Sequence, residues 1–197
     1  MINRATDEAK SLRVFCAIAL PDATRARLAE RIGRLRASPQ GFAARWERSE
    51  KLHLTLKFLG EIEASRLDAL RSAAERAAMS VAPFELTLAG PGVFPPRGAA
   101  RVLWLGLGDP SGRLAHLQAS LEDECHKVGF PREARPFRPH ITLARLRNPA
   151  PQLVKLHLEL PVETERFAVH EMVIMRSELR PEGARYTELA ALPLRGE

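Results

Sequence analysis

Apolar and polar positions change period along the chain, and each change marks an element. The β-branched and aromatic run from Val14 to Leu20 predicts a strand. Pro21-Asp22 then opens a helix to about Ala37, with Asp22 as cap or first-turn anion. Leu28, Ile32 and Leu35 recur there at helical spacing, and Arg25, Arg27, Arg31, Arg34 and Arg36 decorate the solvated remainder. After a turn at Ser38-Pro39-Gln40-Gly41, Ala44-Arg45-Trp46 leads to a strand from Leu52 to Leu59, ended by Gly60. Helical periodicity returns from Ser65 to Met79 through Leu67, Leu70 and Ala74. Phe84 to Ala89 alternates as a strand, Gly90-Pro91-Gly92 and Pro95-Pro96-Arg97-Gly98 bracket a loop, and Arg101 to Leu107 forms another strand.

The second half repeats the rhythm. A helix is predicted from Ser111 to Val128, with Gly129 as its terminator. Arg135-Pro136-Phe137-Arg138-Pro139 is an extended lead-in to a strand from His140 to Arg145. Gln152 to Leu158 is a short segment of unassigned type, and Arg166 to Ser177 and Tyr186 to Pro193 close the chain as strands. Residues 1–11 are patternless and read as an N-terminal arm, leaving 12–197 as one bilobal domain. The reading is α+β, two similar lobes in one unit, with an internal duplication behind them.

Composition narrows this further. With 45% apolar and 27% charged residues in 197, the chain is not broadly disordered. No apolar run approaches the roughly 20 residues of a membrane helix, so no membrane partner is expected. Cys16 and Cys125, the two cysteines, make neither a disulfide framework nor a metal knuckle, which points to a reducing, cytoplasmic location. The formal charge of +6, with 25 Arg among 30 cations, permits an anionic partner without identifying it.

The chemistry enters with a repeated tetrapeptide. His53-Leu54-Thr55-Leu56 and His140-Ile141-Thr142-Leu143 share the order His, aliphatic, Thr, aliphatic, one in each half and each in a predicted strand. Side chains alternate across a strand, so His and Thr share one face while the aliphatics anchor the other. With seven Thr in 197 residues, two His-x-Thr pairs among six His arise by chance roughly 2% of the time, before the aliphatic positions are required. Two imidazoles flanking one reacting centre can divide acid and base work near neutrality. The hydroxyls can donate to phosphate oxygens, and Arg145, five residues after His140, can neutralise charge in the transition state. Such an arrangement requires no cofactor and no metal. The other histidines, His116, His126, His157 and His170, show no ligand spacing and are assigned to surface or core. Cys125-His126 are helical neighbours that do not face each other, and Trp46 and Trp104 are read as packing residues.

At these residues the chain resembles the two-histidine phosphoesterase superfamily, specifically the RNA 2',3'-cyclic phosphodiesterases of the LigT type, also described as 2'-5' RNA ligases. The resemblance runs from about Arg13 to Leu194. It is carried by Val14-Phe15-Cys16-Ala17-Ile18, Leu20-Pro21-Asp22, Arg45-Trp46, Leu52 to Gly60, Pro83-Phe84-Glu85-Leu86, Gly92-Val93-Phe94-Pro95, Arg101-Val102-Leu103-Trp104, Arg135 to Arg145 and Arg176-Ser177-Glu178-Leu179. It implies a bilobal fold of two pseudo-symmetric antiparallel sheets with outer helices and a central cleft. It also implies metal-independent hydrolysis of RNA 2',3'-cyclic phosphate ends to 2'-phosphates, with reversible 2'-5' ligation.

His53 and His140 match the catalytic pair, with His140 taken as base and His53 as acid. Thr55 and Thr142 match the phosphate-binding hydroxyls, and Arg145 the substrate arginine. Met175 departs from relatives that carry an aromatic there. The expected partner is RNA with a cyclic phosphate end, tRNA fragments included, met by a monomer. The alternatives are a phosphodiesterase of small cyclic nucleotides or ADP-ribose cyclic phosphate, and a non-catalytic RNA-end binding module. For a longer strand, Arg97, Arg101, Arg132, Arg135 and Arg138 are the expected track.

Overall fold

The computed structural model describes residues 11–181 and 183–196. Among them the order is β1 (Ser11–Ala19), α1 (Asp22–Arg36), β2 (Ala44–Trp46), β3 (His53–Glu63), α2 (Leu67–Met79), β4 (Phe84–Phe94) and β5 (Val102–Gly108). There follow α3 (Arg113–Lys127), β6 (His140–Leu146), α4 (Pro151–Glu159), β7 (Arg166–Val169), β8 (Glu171–Glu178) and β9 (Arg185–Pro193). Every strand pairing is antiparallel, in the order β7-β4-β5-β6-β3-β1-β8-β9, with β2 added on β6.

The two motif strands, β3 and β6, meet at the centre through a single register pair, Leu54 with Ile141. The fold is α+β as expected, and its two antiparallel sheets are joined edge to edge at that point. The lobes, however, are not the two halves of the chain. Strands β1, β3, β8 and β9, from both ends of the sequence, make one lobe, against which α2 and α3 pack. The middle strands make the other, with α1 and α4 behind it.

The sheet is strongly curled. Only His170 separates β7 from β8, although five strands lie between them in the sheet order. One residue spans about 3.5 Å, so the two ends of that path must approach each other. The helices cover the convex side, where Leu54, Leu56, Leu70, Ala77, Leu117 and Ile141 belong to one buried cluster. A smaller cluster on the other side of the sheet, Phe15, Ala17 and Val173 with Tyr186 and Met175 against it, lies beneath the site.

Several boundaries differ from the expectation for local reasons. Gly60 does not end its strand: its φ of +71° sits beside a register slip between Val14 and Phe15, and β3 continues to Glu63. Strand β4 likewise runs through Gly90-Pro91-Gly92 to Phe94, absorbing a slip between Leu88 and Pro91. Gly92 serves close packing there, since a Cβ would lie 2.2 Å from the Trp104 ring. The unassigned stretch is α4, and the predicted strand from Arg166 breaks at His170. Of the expected arm, Ser11 pairs with Glu63 in β1, and residues 1–10 lie outside those described. No described helix is long and apolar enough to cross a membrane.

Candidate active site

Each motif copy begins as strict alternation. His53 and Thr55 are partly exposed while Leu54 and Leu56 are buried; His140 and Thr142 repeat this against Ile141 and Leu143. Both strands then slip by one residue at the same motif position. Thr55 pairs with Ala17 and Lys57 with Cys16, leaving Leu56 as the extra residue of a bulge. Thr142 pairs with Trp104 and Ala144 with Leu103, leaving Leu143. A bulge inverts the parity of everything after it. Lys57 and Ala144 therefore turn into the core, and Phe58 and Arg145 return to the histidine face. Strict alternation puts a residue five positions after His on the wrong side; the bulge is what brings Arg145 into the site.

The imidazoles are seated alike. His53 Nδ1 donates to the Lys51 carbonyl at 2.7 Å, and His140 Nδ1 to the Arg138 carbonyl at 2.7 Å. A carbonyl only accepts, so each Nδ1 carries the proton and each Nε2 has its lone pair free when the ring is neutral. His53 Nε2 lies 3.0 Å from Thr55 Oγ1 and accepts that hydroxyl when the ring is neutral. The His53 ring packs on Phe15 at 4.9 Å and meets Tyr186 edge-on at 5.4 Å. His140 is held by Phe94 at 5.0 Å and by Trp104 at 5.9 Å.

Burial lowers the pKa of both rings. For His53 the Lys51 hydrogen bond opposes this and the charge of His140 reinforces it. For His140 the Arg138 hydrogen bond opposes and the charge of Arg145 reinforces. Each imidazole thus resists protonation when a neighbouring cation is present, the condition for one charged and one neutral ring.

All five expected site residues, His53, Thr55, His140, Thr142 and Arg145, line one cleft of about 80 Å³. Glu47, Lys51, Phe58 and Tyr186 complete the lining. Tyr186 is the single tyrosine of the chain, carried by β9 to a place 133 residues from His53 in sequence, which no local pattern reveals. Phe58 was hidden by the bulge. Trp104 packs against Gly92 and Phe94 and also borders His140, and Trp46 donates its indole N–H to the Gly41 carbonyl at 2.9 Å.

The expected arginine track lies outside the cleft. None of Arg97, Arg101, Arg132, Arg135 and Arg138 lines the cleft, and Arg132 and Arg135 are held by Asp123 and Glu133 at 2.6 and 2.9 Å. Of the remaining histidines, His116, His126 and His170 are exposed and His157 is fully buried. Cys125 is buried, its thiol pushed up to about 11 by burial, and His126 points to solvent, so the two form no nucleophilic pair.

Residues 22–181 match the 2'-5' RNA ligase superfamily. The RNA 2',3'-cyclic phosphodiesterase of Thermus thermophilus is 40% identical over 195 residues, covering 94% of this chain and 92% of that protein. That of Geobacillus stearothermophilus is 36% identical over 152 residues, covering 77% of this chain and 48% of the relative, so the chain spans about half its length. The crystal structure of Escherichia coli LigT complexed with 3'-AMP superposes with a TM-score of 0.75 at 31% identity, covering 94% and 99% of the two chains. Family match, a relative covered over most of its length and a shared fold converge: the chain belongs to the 2'-5' RNA ligase superfamily.

Proposed function

We propose that the protein hydrolyses the 2',3'-cyclic phosphate at the end of an RNA strand, tRNA fragments among them, to a 2'-phosphate. The observation that carries this reading is the matched seating of the two imidazoles, each with Nδ1 spent on a carbonyl and Nε2 turned to one small cleft. The likeness to proteins named RNA 2',3'-cyclic phosphodiesterase, and to a LigT crystallised with 3'-AMP, supports the substrate class.

In the proposed step, His140 Nε2 takes a proton from water as the water oxygen attacks phosphorus. His53 Nε2–H gives its proton to the departing 3'-oxygen, breaking the P–O3' bond and leaving a 3'-hydroxyl and a 2'-phosphate. Arg145 opposes a charge on His140, which suits that ring to the role of base. Thr55 and Thr142 donate to the non-bridging oxygens, and Arg145 neutralises the charge that grows on them. A 5'-hydroxyl in place of water would run the same step as 2'-5' ligation. Every residue used comes from one chain, so a monomer suffices. The buried free thiols of Cys16 and Cys125 suit a reducing, cytoplasmic setting.

His53→Ala and His140→Ala are each expected to lower kcat by about 10²–10⁴-fold. A cyclic substrate with sulfur at the 3' position separates the roles, because a thiolate leaves without a proton. It is expected to restore turnover to His53→Ala and not to His140→Ala. Rescue of the opposite variant exchanges the roles, and near-normal turnover by either variant on the ordinary substrate defeats the scheme.

A further inference from the structure

The cleft opens into a groove of about 420 Å³, which shares Glu47, Lys51, Phe58, Arg145 and Tyr186 with it. Arg13, Arg45, Arg48, Lys51 and Arg145 line this groove against one carboxylate, Glu47. Among the described residues none of these five cations forms an ion pair, in contrast to Arg132 and Arg135. They come from separate elements, Arg13 from β1, Arg45 from β2, Arg48 from the turn after it and Arg145 from β6, so they are not the solvated face of one helix. Arg45 and Arg145 are direct register partners between β2 and β6. Like charges placed opposite each other on adjacent strands are destabilising, and an anion laid across them removes that cost.

The second observation is aromatic. Phe58 is 60% exposed although it lies in the middle of β3, and the bulge at Leu56 has turned its ring onto the site face. It stands where cleft and groove meet, at the same offset from His53 as Arg145 from His140. An exposed ring beside a row of cations matches a chain whose flat bases stack while its phosphates pair. An acidic peptide would engage the cations and leave the ring unused.

We propose that the groove is the path of the RNA strand upstream of the reacting end, with a base stacked on Phe58 and the preceding phosphates taken by Arg13, Arg45 and Arg48. The protein then reads a polynucleotide and not only its terminal nucleotide. This rests on the phosphodiesterase reading of the cleft.

The test compares a 2',3'-cyclic mononucleotide with a hexanucleotide ending in the same cyclic phosphate. The hexanucleotide is expected to have the lower KM, and to lose about sevenfold in kcat/KM between 50 and 200 mM salt if two phosphates are engaged. Arg13→Glu combined with Arg48→Glu is expected to raise the hexanucleotide KM by about tenfold and the mononucleotide KM by less than about twofold, with kcat unchanged. Arg132→Glu combined with Arg135→Glu is expected to change neither. Arg13 and Arg48 are exposed and form no ion pair among the described residues, so their replacement leaves the core intact.

An unchanged hexanucleotide KM, equal losses on both substrates, or a loss that follows Arg135 instead overturns the strand path alone. A wild-type protein inert on both substrates overturns the phosphodiesterase reading together with the path built on it.

Discussion

Phe58 and Arg145 hold equivalent places, each five residues beyond its histidine, yet one is a flat apolar ring and the other a cation. The two copies of the motif seat their histidines alike and differ at this position, where the cleft meets the groove. If the ring is a stacking platform, Phe58→Ala is expected to raise KM for the cyclic-phosphate hexanucleotide about tenfold, the loss of one base-stacking contact. A base-free ribose 2',3'-cyclic phosphate should be handled equally well by both proteins; a matching KM increase with it would show that the ring merely shapes the cleft. His53, Thr55, His140 and Thr142 were legible in the sequence because period-two alternation holds over those three residues of each strand. Phe58 was not, because Leu56 and Leu143, the extra bulge residues, are ordinary strand aliphatics with nothing to mark them.

At the scale of elements, the bulge in β3 also explains a buried cation. Lys57 is 4% exposed; its Nζ donates to Glu122 Oε2 of α3 at 2.6 Å and to the Pro131 carbonyl at 2.8 Å. The same carboxylate oxygen accepts the Glu133 N–H at 3.2 Å. One ion pair thus ties the His53 strand to α3 and to the segment that leads into His140. Lys57→Met leaves Glu122 charged without its partner and is expected to cost about 3–5 kcal/mol of stability. Lys57→Met with Glu122→Leu is expected to recover most of that in urea unfolding, since the uncompensated charge is then gone; equal losses in single and double variants would deny the pair that role. Glu122 and Lys57 are 65 residues apart, so no local pattern announces them. Element types were readable from periodicity nearly throughout, and the errors cluster where glycine serves a bulge or close packing, as at Gly60 and Gly92, and not a turn.

For the whole molecule, closure of the curled sheet depends on buried contacts between layers, and His157 is the most exacting. Fully buried on α4, its Nε2–H is shared between the Gly92 and Trp104 carbonyls at 3.1 Å each, fastening the helix beneath β4 and β5. Burial, aided by the charge of Arg31, pushes its pKa down to about 4. An unfolded chain binds a proton at this site below about pH 6.5, and the native protein does so only near its depressed value. The stabilisation is therefore complete above pH 6.5 and is lost progressively as pH falls towards 4. That amounts to about 2 kcal/mol between pH 7 and pH 5 from this residue. His157→Gln is expected to be less stable at pH 7, through lost packing, but to show a shallower decline in urea midpoint over the same range. The cleft pair, whose lowered pKa values act in the same direction, contributes to the slope left in that variant. Parallel slopes for the two proteins would place the acid sensitivity elsewhere. Because His157 holds the Trp104 carbonyl, and the Trp104 ring borders His140, acid is expected to loosen the floor under the His140 imidazole as it weakens the fold.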